Sequence, residues 1–146
     1  MAFLGLVGVA TIVAATLTPE WDAIAHAAYS DGGCDVSRVG LIPLSDLTRV
    51  SQASLNVALF VPLGLAIGLV PWSSRSALIL AAALLLPFVI EATQAALPAL
   101  GRGCESADVT DNLTGLGVGF LVGLATRQMV ALVRSGRTAD PGAVVD

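Results

Sequence analysis

From Glu91 to Gly123 the chain reads EATQAALPALGRGCESADVTDNLTGLGVGFLVG, and this stretch restricts the fold more than any other. Glu91 stands between the apolar run LLLPFVI and an Ala-rich run. A short charged loop follows, and then a second apolar segment studded with glycine. A carboxylate near the middle of a bilayer helix costs about 2.5–3.5 kcal/mol on insertion scales, so such a group faces a partner or a wet cavity. Gln94 lies at i+3 from Glu91, on the same helix face. Beyond the loop, Asp108, Asp111 and Asn112 share one face of the next helix, and Arg102 sits in the connection. Two polar helix faces joined by a tight turn can close on each other within a bilayer, and they define the candidate site.

The rest of the chain has to accommodate that pair. It is 55% hydrophobic and 12% charged, with a mean hydropathy of +0.85, against roughly 25% charge in a soluble domain. The expected fold is all-α: a small polytopic membrane protein, a four-transmembrane-helix bundle with a long polar first loop. One transmembrane domain is expected over 1–133, followed by a short polar tail over 134–146 that is expected to be disordered. Seven arginines, no lysine and eleven acids give a net charge of −4 with no charged run. Nothing in that pattern points to nucleic acid.

In chain order, the first span is expected over 2–18, near the lower limit for crossing about 30 Å of hydrocarbon. A secretory signal is the alternative, with Ala25-His26-Ala27 as a small-x-small site, but no positive side chain precedes the apolar run. Residues 19–53 form a polar connection, either a lid or vestibule wall or a plain linker, with Leu41-Ile42-Pro43-Leu44 as its apolar anchor. His26 has no second histidine or cysteine at ligand spacing, so no metal and no cofactor are expected. The second span is expected over 54–72, with Asn56 near its entry, Pro62 inside it and Gly64 and Gly68 as a small-xxx-small pair. The third runs over 76–97 and the fourth over 109–127. Gly115, Gly119 and Gly123 make one flat stripe on the face of Asp108, Asp111 and Asn112, while Gly117 points elsewhere. The stripe is expected to draw this helix onto a neighbour so that its polar head meets Glu91 and Gln94.

Four spans put both termini on one side. Arg75, Arg127, Arg134 and Arg137 on that side against Arg38, Arg49 and Arg102 on the other make it cytoplasmic by the positive-inside rule. Cys34 and Cys104 then share the outer face, where they can oxidise to a disulfide. Closing a loop of about 70 residues contributes roughly 4 kcal/mol in the loop-entropy account, and less where a membrane already restrains the unfolded chain.

The series Leu41-Ile42-Pro43-Leu44, Asn56-x-x-Leu59-Phe60-x-Pro62-Leu63-Gly64 and Glu91-x-x-Gln94 resembles the VanZ-like membrane protein family. So does the closing pattern, Arg102 followed by Asp108-x-x-Asp111-Asn112-x-x-Gly115-x-x-x-Gly119. The likeness spans roughly residues 41–123. It departs in Ile90 and Thr93 around Glu91, in the Cys104-Glu105 insertion and in lacking a basic N-terminal extension. The resemblance implies a multi-pass membrane fold carrying these polar positions, in a family named for a member that gives low-level resistance to the lipoglycopeptide teicoplanin.

Three readings of the polar set Asn56, Glu91, Gln94, Arg102, Asp108, Asp111 and Asn112 remain open at this level. It can be a pocket at the outer face that grips a lipid-linked or lipoglycopeptide headgroup, with Arg102 as a bidentate fork for phosphate or carboxylate. It can be an enzyme site in which Glu91, Asp108 and Asp111 hold a divalent cation or act as acid and base on a membrane substrate. It can also be a structural clasp that pins helices together. The partners expected are the lipid bilayer and an amphiphilic ligand.

Overall fold

Serine pairs start the two middle helices. Ser51 accepts a hydrogen bond from the Ser54 N–H at 3.1 Å, and the Ser54 hydroxyl accepts from the Ser51 N–H at 3.0 Å. Ser73 and Ser76 repeat this reciprocal capping box, which satisfies two backbone donors that an uncapped helix end leaves bare. In the computed structural model, which describes residues 2–19 and 34–138, these caps open α3 (Gln52–Gly68) and α4 (Ser74–Ala96). Before them come α1 (Ala2–Leu17), a two-residue strand β1 (Cys34–Asp35) and the single turn α2 (Leu44–Leu47). After them come a 3₁₀ turn at Pro98–Leu100, the strand β2 (Cys104–Glu105) and the long α5 (Ser106–Thr138). The signal-like site at Ala25-His26-Ala27, and His26 itself, lie outside the described residues.

Local chemistry accounts for the boundaries. α3 ends at Gly68, short of the expected 72, because Pro71 disfavours helical backbone at Val70. The α4–α5 connection turns through Gly101 with φ 65°, a left-handed conformation that glycine adopts without a Cβ clash. At the far end the sequence reading needs correction: α5 does not stop near 127 but continues to Thr138, so residues 134–138 are helical and not a loose tail. The chain is also not wholly α-helical. β1 and β2 form a short parallel ladder, pairing Cys34 with Cys104 and Asp35 with Glu105.

The four long helices alternate in direction. Gln94 Nε2 donates to the Thr16 carbonyl at 3.0 Å, Arg102 Nε to the Thr18 carbonyl at 3.3 Å and Gln52 Nε2 to Asp108 at 3.4 Å. The ends of α1 and α4 therefore meet the starts of α3 and α5. At the opposite end the Arg127 guanidinium donates to the Val70 carbonyl, just past α3.

The glycine stripe packs, but not on the helix the sequence suggested. α5 lies along α3, and its contact with the Glu91 helix α4 is minor. A methyl group at Gly115, Gly119 or Gly123 would strike the carbonyl oxygen of Val57, Val61 or Leu65, respectively. Gly64 and Gly68 present the reciprocal face to the carbonyls of Leu116 and Phe120. Five glycines thus mesh two backbones in a contact where Cα–H groups face carbonyl oxygens, the packing available to helices that gain nothing from excluding water. Among the described residues, nothing lies near the missing Cβ of Gly117. Around this pair, Ile12 of α1, Phe60, Leu63 and Ile67 of α3, Ala83 and Ile90 of α4 and Leu116 of α5 make one buried cluster.

Polarity is inverted relative to a water-soluble domain. Phe3, Leu78, Phe88, Leu121 and Leu132 are exposed, whereas Glu91, Gln94, Asp111 and Asn112 are buried. Among the described residues, α4 and the Ser106–Gly136 part of α5 are long and apolar enough to cross a membrane; the apolar stretches Gly5–Leu17 and Gln52–Gly68 are shorter. At 1.5 Å per residue, α1 and α3 reach about 24 and 26 Å, and α4 and α5 about 34 and 50 Å. By length, then, two of the four expected spans qualify as membrane-crossing helices.

Candidate functional site: a polar cavity at the helix ends

Where α1 and α4 end and α3 and α5 begin, the chain encloses a cavity of about 500 Å³. Six of the seven polar residues singled out in the sequence line it: Asn56, Glu91, Gln94, Arg102, Asp108 and Asn112. Asn56 comes from the second turn of α3, one turn after Gln52, so both reach the same side. Glu91 and Gln94 come from the end of α4, and Asp108 and Asn112 from the first turns of α5. Arg102 comes from the connection between α4 and α5. α1 supplies Ala15 and Thr16, which the sequence reading did not assign to the site. Their only signal was one threonine near the end of an apolar run.

Glu91 Oε2 accepts the backbone N–H of Glu105 at 2.8 Å, which ties α4 to the strand leading into α5. Gln94 is only 5% exposed, and its orientation is set by the bond to the Thr16 carbonyl: a carbonyl accepts only, so Nε2 points there and Oε1 points away. That Oε1, Asn112 Oδ1 and Asn56 Nδ2 are all buried and have no hydrogen-bond partner among the described residues. Leaving such a group unmatched costs about 1–3 kcal/mol. Concentrating three of them on one cavity therefore calls for an explanation.

Asp111 belongs elsewhere. Its side chain, with no exposed surface, is held by Arg38 through Nη1–Oδ1 at 3.1 Å and Nη2–Oδ2 at 2.5 Å. The arginine that neutralises the buried acid is thus Arg38 of the first connection, while Arg102 takes the Thr18 carbonyl. The bidentate bond to Asp111 raises Arg38 further above its ordinary value. Arg38 is fixed by its main chain as well, since the Ser106 hydroxyl donates to its carbonyl at 2.8 Å. Next to it, Cys34 and Cys104 are joined by a disulfide. The Ser37 N–H bonds Asp35 at 2.8 Å and keeps that carboxyl below its usual range. Burial, with Asp108 and Asp35 adding, pushes Glu105 above its usual range. Four attachments (a disulfide, a strand ladder, a hydroxyl bond and an ion pair) thus clamp residues 34–38 over the head of α5. Farther along the connection, Ile42 is buried while Leu41 and Leu44 are exposed, so one residue of that apolar run does the anchoring.

The polar set divides by chemistry. Asp111 is committed to a structural ion pair, whereas Glu91, Gln94, Asp108, Asn56 and Asn112 present carboxylate and amide groups to a space large enough for a ligand. Among the described residues no three His, Cys, Asp or Glu side chains gather where they could hold a metal ion.

A family model described as VanZ/LLP1 matches residues 3–127, which include every residue that lines the cavity. Comparison with curated proteins and with solved structures returns no match.

Proposed function

The chain belongs to the VanZ/LLP1 family, and from that premise we propose that it is a four-span cell-membrane protein whose cavity binds the headgroup of an amphiphile at the outer face. Both termini are then cytoplasmic. The short helices α1 and α3 cross by local thinning of the bilayer, at a cost of fractions of a kcal/mol per Å of mismatch. The ligand class is a lipid-linked envelope component or a lipoglycopeptide, and binding alters glycopeptide susceptibility.

One observation carries this reading: three buried polar atoms, on Asn56, Gln94 and Asn112, line the cavity without a hydrogen-bond partner among the described residues. A purely structural clasp satisfies its members. Here the clasp is made by other groups, Arg38 with Asp111 and Ser106 with the Arg38 carbonyl. The clasp reading keeps one specific support, because Glu91 and Gln94 each make one bond to another element.

The test is Glu91→Gln expressed in a host lacking the gene, with teicoplanin susceptibility and membrane abundance measured together. The expected result is altered susceptibility at unchanged abundance. Susceptibility that simply follows abundance across Glu91→Gln, Glu91→Ala and Gln94→Leu leaves the clasp as the whole function.

A further inference from the structure

The cavity's hydrogen-bonding inventory restricts the chemistry of its occupant, and we infer that the headgroup is a hydroxyl-rich one, a sugar or polyol, and not a phosphate or an ammonium. The inference rests on the headgroup-binding reading and narrows it.

The groups awaiting partners are of both kinds. Gln94 Oε1 is an acceptor, fixed as such because Nε2 is spent on the Thr16 carbonyl, and Asn112 Oδ1 is a second acceptor. Asn56 Nδ2 is a donor. Two carboxylates, Glu91 and Asp108, share the wall and add acceptor oxygens, against one guanidinium at Arg102. An ionised phosphate offers acceptors only: it could satisfy Asn56 but would leave the Gln94 and Asn112 oxygens bare. An ammonium offers donors only and leaves Asn56 unmatched. A hydroxyl both donates and accepts, so neighbouring hydroxyls can meet amide nitrogen, amide oxygen and carboxylate together. The volume, about 500 Å³, falls within the roughly 300–1,000 Å³ of small-ligand sites. Leu55 and Leu59 complete the wall, and Leu55 is more than half exposed. An attached chain therefore leaves over an apolar sill toward lipid.

The experiment uses the purified full chain in an amine-oxide detergent. Octyl β-glucoside, octyl phosphate and octylammonium, which share one tail, are titrated below their micellar concentrations by calorimetry. The glucoside is expected to bind about tenfold or more tighter than the other two, and both Gln94→Leu and Asn56→Ala to weaken it by about tenfold, the loss of one well-matched hydrogen bond. Gln94→Leu also removes the bond to Thr16, so Asn56→Ala, whose amide nitrogen faces Asp108 but makes no close hydrogen bond among the described residues, decides if the first variant misfolds. Octyl phosphate or octylammonium binding as tightly as the glucoside, with the same sensitivity to the variants, overturns the hydroxyl assignment and leaves headgroup binding standing. If none of the three binds with any sensitivity to the variants, both fail.

Discussion

Arg38 reaches out of the long first connection and closes a two-point ion pair on Asp111, which is fully buried in the second turn of α5. The pair joins residues 73 positions apart and sits beside the Cys34–Cys104 bridge, so one side-chain fork and one covalent bond hold the same segment. Arg38→Ala leaves the Asp111 charge buried and alone. Because Arg38 keeps about a third of its surface exposed, the expected loss is about 3 kcal/mol, the low end for breaking a buried pair. Arg38→Lys should recover only part of it, since an ammonium cannot form the planar two-point contact. Thermal unfolding in detergent of Arg38→Ala, Asp111→Asn and the double variant measures the coupling. Strictly additive losses would mean that the pair contributes nothing as a pair.

Reduction should loosen the same clamp. The bridge closes a separation of 70 residues, and its loss is expected to cost up to roughly 4 kcal/mol in the loop-entropy account, less in a membrane. The purified protein should show no reactive thiol until reductant is added, and its unfolding temperature should then fall. Two thiols titrating freely in the folded, unreduced protein would contradict the bridge.

Gly119→Ala drives a methyl group into the Val61 carbonyl across the α3–α5 contact, while Gly117→Ala meets open space. The first is expected to destabilise by about 1–3 kcal/mol through overpacking. The second should be neutral or stabilising by up to about 1 kcal/mol from helix propensity. Equal unfolding shifts for the two would show that α3 and α5 do not mesh through this face.

Much of this architecture was legible because the physics is local. Apolar length and the four-residue glycine spacing each act within one helix, so the helices and the stripe could be read directly. The identity of the stripe's partner could not. Gly64 and Gly68 were seen as a small-residue pair, but nothing in the spacing says that they mesh with Gly115, Gly119 and Gly123, and chain proximity favoured the neighbouring helix of Glu91 instead. Arg38 was missed for a related reason. It lies in a polar connection full of charges, and its distance from Asp111 along the chain hid a pairing that only the closed fold creates. Arg102 was assigned to the candidate site because it stands in the loop between the two polar helix faces, and it does line the cavity. Among the residues that line the cavity, Asn56, Glu91, Gln94 and Asn112 were recognisable because polar groups inside apolar segments are costly wherever they stand.

Labelling tests the proposed orientation. Ser74→Cys lies at the start of α4 and Ser135→Cys near the end of α5, both at the end of the bundle opposite the cavity. In intact cells, a membrane-impermeant maleimide should leave both unlabelled, and permeabilisation should expose both. Labelling of both from outside would reverse the topology and put the cavity on the cytoplasmic face. Labelling of only one would reduce the number of spans.

Asp108 and Asp111 stand one turn apart on α5, and the geometry gives them different work. Asp108 lines the cavity and accepts from Gln52 at 3.4 Å, whereas Asp111 is absorbed by Arg38. Asp108→Asn keeps the shape and an acceptor oxygen for Gln52, so abundance and unfolding temperature should change little while any effect on susceptibility or headgroup binding is lost. Asp111→Asn keeps the shape too but removes the charge that Arg38 meets at two points, so stability should fall and function should fall only as far as abundance does. Dividing activity by membrane abundance separates them: the quotient collapses for Asp108→Asn and stays near the parent value for Asp111→Asn. If both quotients collapse, Asp111 also acts in the site and the division drawn here between clamp and cavity is wrong. If neither does, the carboxylate of Asp108 has no part in function, and both aspartates serve the fold.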